Sequence, residues 1–209
     1  MKLIYLTLFS FLYLYATVCC IIIPIVISIL QAKFVFSGCG LFISMKTETE
    51  WCHPEYSLSI CEYLKFSPSF IFLYSFPMFI YHLIPIVKLL RRKPQTYTVW
   101  KKPFYPASIF FLNMFIFNSC LTTTGIALSC KSIGSQYPLL SCKTGFANIL
   151  RQKNDDKDDK IIFNLLILIQ ICYWSSSIAY VIIITASSCL IFQRKSFAVT
   201  DSIISLQAL

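Results

Sequence analysis

Charged residues are scarce in this sequence, and four long stretches contain none at all. Asp, Glu, Lys and Arg make up 13% of the 209 residues, whereas about a quarter of an ordinary globular domain is charged. Hydrophobic residues make up 57% of the chain, and this composition excludes a soluble globular protein. The stretches without any charge are 3–32, 66–87, 104–130 and 161–193.

The sequence also lacks the groups on which catalysis and ion coupling usually depend. Its two histidines, His53 and His82, are separated by most of the second charge-free stretch, so they cannot share a site. It has no serine elbow, phosphate-binding loop or HExxH motif. General acid–base catalysis needs neighbouring titratable groups, and proton relays in membranes need ionisable side chains within the spans. We therefore expect neither enzymatic activity nor a cofactor.

The four charge-free stretches predict four membrane-spanning helices. Each is longer than the roughly 20 residues that cross a hydrocarbon core about 30 Å thick, and a chain in hydrocarbon must satisfy its own backbone hydrogen bonds. We therefore predict an all-α membrane protein, a single four-helix bundle over 1–209. The predicted spans are 4–31, 67–90, 104–129 and 161–192, with loops 32–66, 91–103 and 130–160 and a tail over 193–209.

The first stretch has a second interpretation as a cleaved signal peptide. Lys2 precedes the apolar run, and Ala16-Thr17-Val18 forms a weak cleavage motif. The apolar core of a signal peptide is usually about 7–15 residues long. The run over 3–32 is far longer, which favours a retained first span.

Basic residues indicate which side of the membrane each loop faces. Those around the loop 91–103, called here the inner basic cluster, are Lys88, Arg91, Arg92, Lys93, Lys101 and Lys102. No acid accompanies them, whereas loops 32–66 and 130–160 mix acidic with basic residues. Since Lys and Arg near span ends favour the cytoplasmic side, we predict that this loop and both termini are cytoplasmic. The cluster would face anionic lipids, and we expect no nucleic-acid binding.

The cysteines agree with this orientation. Five lie within the predicted spans, and the others, all in or beside the two outer loops, are Cys39, Cys52, Cys61, Cys130 and Cys142. Because disulfides persist only in oxidising compartments, this asymmetry supports the outer placement of both loops. Cys130 and Cys142 are the only two in their loop, so we predict that they bond. The first loop has three cysteines, so a disulfide between two of them would leave the third without a partner in that loop.

Two metal sites are weaker interpretations of the outer loops. Cys52, His53 and Cys61 could bind zinc, but they lack a second pair of ligands. The acidic tract 154–160 could bind calcium, but it lacks EF-hand spacing, which favours a solvated linker. The start of the first outer loop, where Phe34 and Phe36 alternate with smaller residues before a glycine turn, predicts short strands instead.

Four amide and imidazole side chains lie well inside the predicted spans, and they need an explanation because polar groups are costly in a bilayer. They are His82, Asn113, Asn118 and Gln170. Counting along the spans at about 1.5 Å per residue places His82 and Asn113 at one depth, and Asn118 and Gln170 at another. We expect interhelical hydrogen bonds at these matched depths. The alternative is that these groups line a pore or a substrate path.

Several short motifs resemble the transmembrane protein 179 family, whose members are similar to the claudin-type four-span proteins. The motifs are Phe36-Ser37-Gly38-Cys39, Cys61 with Tyr63, the stretch 125–133, Leu140-Ser141-Cys142 and Trp174-Ser175-Ser176. The resemblance covers nearly the whole chain. It implies four spans, inner termini, disulfide-bearing and partly β outer loops, and no assigned enzymatic activity.

The resemblance also bears on the cysteines of the first outer loop. It implies a Cys39–Cys61 disulfide, whereas the claudin-type spacing matches Cys52 with Cys61. The chain departs from the claudin-type pattern at Phe42, where that pattern has tryptophan. The pairing of Cys61 is therefore an open expectation with two candidates.

These observations predict a non-enzymatic four-span membrane protein. Its partner would be another membrane protein or a second copy of the chain, and its role that of an organiser, an adhesion element or an auxiliary subunit. The expected location is the plasma membrane or the membrane of a secretory-pathway vesicle. The alternative function is a small channel or transporter that forms its pore by oligomerising.

Overall fold

The chain folds into four long helices joined by shorter segments. The computed structural model describes residues 2–33, 41, 44–45, 51–52, 55–91, 104–136, 141–145 and 159–207. The long helices are α1 (Lys2–Lys33), α2 (Glu55–Leu90), α3 (Phe104–Gln136) and α5 (Asp159–Gln207). A single helical turn over 142–145 is α4, and the strands are β1 (Ser44–Met45) and β2 (Trp51–Cys52).

Each long helix contains a segment that is long and apolar enough to cross a membrane. These segments are Ile4–Ala32, Ser59–Lys88, Tyr105–Ser135 and Ile161–Cys189. Hydrocarbon favours helices here because only a helix satisfies every backbone group within one segment. The prediction of a multi-pass membrane protein with four apolar helices is confirmed.

All four long helices extend beyond the predicted spans, and α2 and α5 do so furthest. The helix α2 begins at Glu55 rather than at 67, and α5 continues to Gln207 rather than ending at 192. The charges at Glu62 and Lys65 limited the predicted span, but a helix continues outside hydrocarbon where such side chains find partners. No proline or glycine lies between 193 and 207 to end α5. Most of the predicted tail is therefore helical.

The helices pack in the order α2, α1, α5, α3. The helix α1 lies along α2 on one face and along α5 on another, and α5 lies along α3. The helices α2 and α3 approach each other less closely. Their described contact runs through large side chains, such as the stacked rings of Tyr74 and Phe111, whose centroids are 4.6 Å apart.

One buried stripe explains why α1 has a central position. Its buried residues recur at alternating spacings of three and four: Tyr13, Ala16, Cys20, Ile23, Ile27 and Leu30. This spacing keeps one face of a helix against its neighbours, as in coiled coils. The opposite face of α1 is apolar and exposed at Phe11, Val18 and Ile25, as expected for a surface in contact with lipid.

The segment after α1 contains two short paired strands. Ser44 of β1 pairs with Cys52 of β2, Met45 pairs with Trp51, and the strands run antiparallel. They lie downstream of the stretch around Phe34 and Phe36 that predicted strands, which lies outside the described residues. The strand β1 also contacts α3.

A disulfide joins Cys130 on α3 to Cys142 at the start of α4, with the two Cα atoms 5.1 Å apart. The turn of α4 then packs tightly on α3, because a Cβ atom at Gly145 would collide with the side chain of Ile133. The backbone N–H of Gly145 donates to the carbonyl of Ser141 at 2.8 Å. This end of α3 is therefore fixed to the following segment by both a covalent bond and close packing.

Candidate functional site

The centre of the bundle is an aromatic and hydroxyl core built around Tyr13. Its ring stacks on His82 of α2 with centroids 5.6 Å apart. It meets Tyr74 of α2 and Tyr180 of α5 edge-on, at 6.2 Å and 6.0 Å. Edge-on and stacked arrangements are those that the charge distribution of aromatic rings favours. One residue of α1 thus positions side chains from two other helices.

Hydroxyl groups extend this core to all four long helices. Ser108 of α3 lies 2.9 Å from the Tyr74 hydroxyl and 3.3 Å from that of Tyr13. The Tyr180 hydroxyl lies 2.7 Å from Ser75 of α2. Because lipid offers no hydrogen-bonding partner, each hydroxyl needs one inside the protein, and these pairs supply it. The roles of Tyr13, Tyr74 and Tyr180 were not predicted from the sequence, and the only signal there was their position within charge-free stretches.

Asn118 and Gln170 both form interhelical hydrogen bonds, but not with each other. The Asn118 amide donates to Ser67 of α2 at 2.9 Å. The Gln170 amide donates to Thr123 of α3 at 3.1 Å, and the Trp174 indole donates to the same hydroxyl at 3.1 Å. The expected Asn118–Gln170 pair is therefore wrong. Two residues at equal depth can pair only if their side chains also point toward each other. Asn118 points from α3 toward α2, whereas Gln170 of α5 contacts α3 at Thr123.

The expected pair of His82 and Asn113 is also wrong. The His82 ring is buried between Phe9 and Tyr13, with its centroid 5.5 Å from that of Phe9. Asn113 is exposed on the outside of α3. On a helix of 3.6 residues per turn, Asn113 points away from the face that carries Phe115 and Asn118, so it cannot reach α2.

Small hydroxyl residues lie where α3 and α5 meet. The Ser119 and Ser177 hydroxyls are 3.3 Å apart, and both residues are buried. Ser119 and Thr122 also donate to backbone carbonyls of their own helix. Small residues allow two helix backbones to approach closely in a membrane. The small-residue segments of these two helices thus form a tight seam.

Three buried polar atoms lack a hydrogen-bonding partner among the described residues. They are Nδ1 of His82, Oδ1 of Asn118 and Oγ of Ser176. Buried polar groups without partners are uncommon in native structures and usually have a structural or functional reason. Their presence along the bundle shows that the core is polar at several depths.

A polar contact between α1 and α2 was not anticipated from the sequence. The Gln31 amide donates to Glu62 at 3.1 Å, and the Lys65 ammonium donates to the Gln31 amide oxygen, also at 3.1 Å. All three side chains are partly buried. This contact accounts for the early start of α2, because the charges of Glu62 and Lys65 are paired through Gln31.

The remaining predicted residues fall partly outside the described part of the chain. Lys88 and Arg91 lie at the end of α2, whereas Arg92, Lys93, Lys101 and Lys102 are outside the described residues. Cys61 is disulfide-bonded, so it offers no free thiolate for the zinc alternative. The described residues do not settle the partner of Cys61. Cys39 and residues 154–158 of the acidic tract lie outside them, whereas Asp159 and Lys160 begin α5.

Metal chemistry has no candidate site in the described residues, since no three His, Cys, Asp or Glu side chains converge there. Comparisons with known proteins give no further constraint. No family model, no curated protein and no solved structure matches this chain.

Proposed function

We propose that this chain is a non-enzymatic, claudin-like four-span protein that acts as an organiser, an adhesion element or an auxiliary subunit. The observation that carries the proposal is the filled axis of the bundle. Tyr13, Phe115 and Tyr180 converge there, and none is more than 2% exposed. A bundle closed by large rings holds a fixed shape and leaves recognition to its surfaces and loops.

The loops that follow α1 and α3 are the proposed partner-binding side. Support comes from the Cys130–Cys142 bond and from the β1–β2 pair beside α3, which together favour an ordered, partly β outer region. At the opposite end, Lys88 and Arg91 are exposed and would contact anionic lipids of the inner leaflet. The proposed location is the plasma membrane or a secretory-pathway vesicle.

An engineered glycosylation site tests the proposed orientation. Leu150→Thr completes an Asn-Ile-Thr acceptor at Asn148, in the loop proposed to lie outside. As the control, Asp201→Asn with Ile203→Thr completes an acceptor in the region proposed to be cytoplasmic. Because glycans are attached to Asn-x-Ser/Thr acceptors only outside the cytoplasm, we expect endoglycosidase to shift only the first variant on a gel. A glycan on the second variant alone would reverse the orientation.

Affinity purification from cross-linked membranes tests partner binding. We expect one membrane protein to co-purify in a near-equal amount. Loss of that protein on Cys130→Ser with Cys142→Ser, but not on Cys189→Ser, would locate binding at the outer loops. Absence of any stoichiometric partner with wild-type protein would overturn the proposal.

The unpartnered atoms of His82, Asn118 and Ser176 favour one alternative, a small oligomeric channel or transporter. Such a protein would use these groups to contact a polar solute. Flux through liposomes containing purified protein separates the two functions. Selective flux that is lost on Asn118→Leu with Gln170→Leu, in variants that keep their helix content, would establish the channel and exclude the organiser.

A further inference from the structure

The outward face of α3 carries a polar side chain where lipid is expected. Asn113 is exposed, and it lies between Ile109 and Ile116, which are 37% and 39% exposed. At 3.6 residues per turn, these positions share one face, opposite the buried Asn118 and Thr122. The Asn113 amide therefore points directly away from the bundle.

This amide lies too deep for water to solvate it. It is about 14 Å along the helix from Phe104, at about 1.5 Å per residue, and the Asn side chain is too short to reach the membrane surface from there. Asn113 makes no side-chain hydrogen bond to the described part of the chain. A carboxamide has two donor hydrogens and an acceptor oxygen, and leaving them unpaired in hydrocarbon is costly. The amide therefore needs a partner that the described residues do not supply.

The residues around Asn113 suit contact with another helix. Along the same face follow the exposed, small side chains of Cys120, Thr124 and Ala127, together with the bulky ring of Phe117, which is 54% exposed. Small residues and amides are enriched where membrane helices associate, because they allow close approach and hydrogen bonding. The outward face of α1 differs, since its central positions Phe11, Val18 and Ile25 are bulky and apolar.

We propose that this face of α3 is a self-association surface, on which the Asn113 amides of two copies exchange hydrogen bonds across a two-fold axis. Two copies have the same orientation in a membrane, so a two-fold axis brings each residue near its own counterpart. A carboxamide is self-complementary in that arrangement. Asn113, Cys120 and Ala127 recur every seven residues, the period that keeps one face of two crossing helices in contact. The exposed Lys131 continues the face at its outer end, where water weakens repulsion between like charges.

This surface goes beyond the proposed partner-binding function and does not rest on it. The proposed partner would contact the outer loops, whereas the α3 face lies within the membrane. Experiments on the purified chain alone therefore test self-association without any second protein.

Thiol cross-linking in vesicles tests the surface directly. Purified protein in phosphatidylcholine vesicles is treated with oxygen and copper phenanthroline, an oxidant that enters the bilayer and joins two neighbouring thiols as a disulfide, and dimer is measured on a gel run without reductant. We expect a cross-linked dimer that disappears on Cys120→Ser and persists on Cys189→Ser, whose thiol is also free and exposed. Persistence of the dimer without Cys120, or its absence from wild-type protein, overturns the proposal.

Energy transfer between labelled copies then measures the role of the amide. Asn113→Leu is expected to raise the dissociation constant of the dimer about tenfold, given two interhelical hydrogen bonds of membrane strength. Asn164→Leu is the matched control, because Asn164 is exposed on α5 instead. Since neither asparagine is buried, both variants should keep the thermal stability of the monomer. An unchanged dissociation constant for Asn113→Leu would show that the amide does not pair across the interface.

Discussion

Replacing Tyr13 with alanine is expected to lower the free energy of unfolding by about 3 kcal/mol. The ring contacts His82 and Tyr74 of α2 and Tyr180 of α5, so side chains of these two helices would line the resulting cavity. Roughly 100 Å³ would be lost, at about 24 cal/mol per Å³ of remaining cavity. Ser108 would also lose one of its hydroxyl partners. Helix content followed by circular dichroism, as a denaturing detergent replaces a mild one, measures the change.

Two variants of the same helix act as controls for Tyr13→Ala. Phe11 is 64% exposed, so Phe11→Ala leaves no internal cavity and should change the stability by no more than about 0.5 kcal/mol. Tyr13→Phe keeps the ring and removes only the hydroxyl, at a cost of about 1 kcal/mol. Equal losses for Tyr13→Ala and Phe11→Ala would contradict the closed core.

Cys130→Ser with Cys142→Ser is expected to cost about 3 kcal/mol of stability. The bond closes a loop with a sequence separation of 12. Opening a loop of this size increases the chain entropy of the unfolded state, which lowers the free energy of that state by about this amount. The Gly145–Ile133 contact should loosen as well, because α4 would no longer be tethered to α3. Thermal unfolding in detergent without reductant measures the difference from wild-type protein.

Cys120→Ser is the matched control for the disulfide variant. Cys120 lies on the same helix but has a free, exposed thiol, so monomer stability should not change. If the double variant unfolds at the wild-type temperature, the bond either does not form in the protein or does not constrain the unfolded chain.

The four helices could be predicted because charge is excluded from hydrocarbon regardless of tertiary packing. The stretch 3–32 and its three counterparts therefore indicated helices without reference to any neighbour. The bounds of α2 could not be predicted in the same way. Glu62 and Lys65 suggested a loop, but they lie within the helix because Gln31 of α1 pairs with both.

Depth in the membrane was predictable for single polar residues, but their direction around the helix axis was not. Asn113 and Asn118 are five positions apart, and that spacing places them on different sides of α3. One faces outward, and the other donates to Ser67. The matched-depth pairs failed for this reason. The hydroxyl partners Ser67 and Thr123 are common residue types, so nothing in the sequence distinguished them from other serines and threonines.

The wider approach of α2 to α3 determines where the bundle separates under heat or mechanical tension. Elsewhere around the ring, helices lie directly along each other, but here single side chains such as Asn118 and Tyr74 cross the gap. Few bonds must break to part these two helices, and α1 and α5 would stay in contact meanwhile. The first partly opened state would therefore be a single layer of helices in the order α2, α1, α5, α3. In that state Ser67 and Ser108 would face lipid.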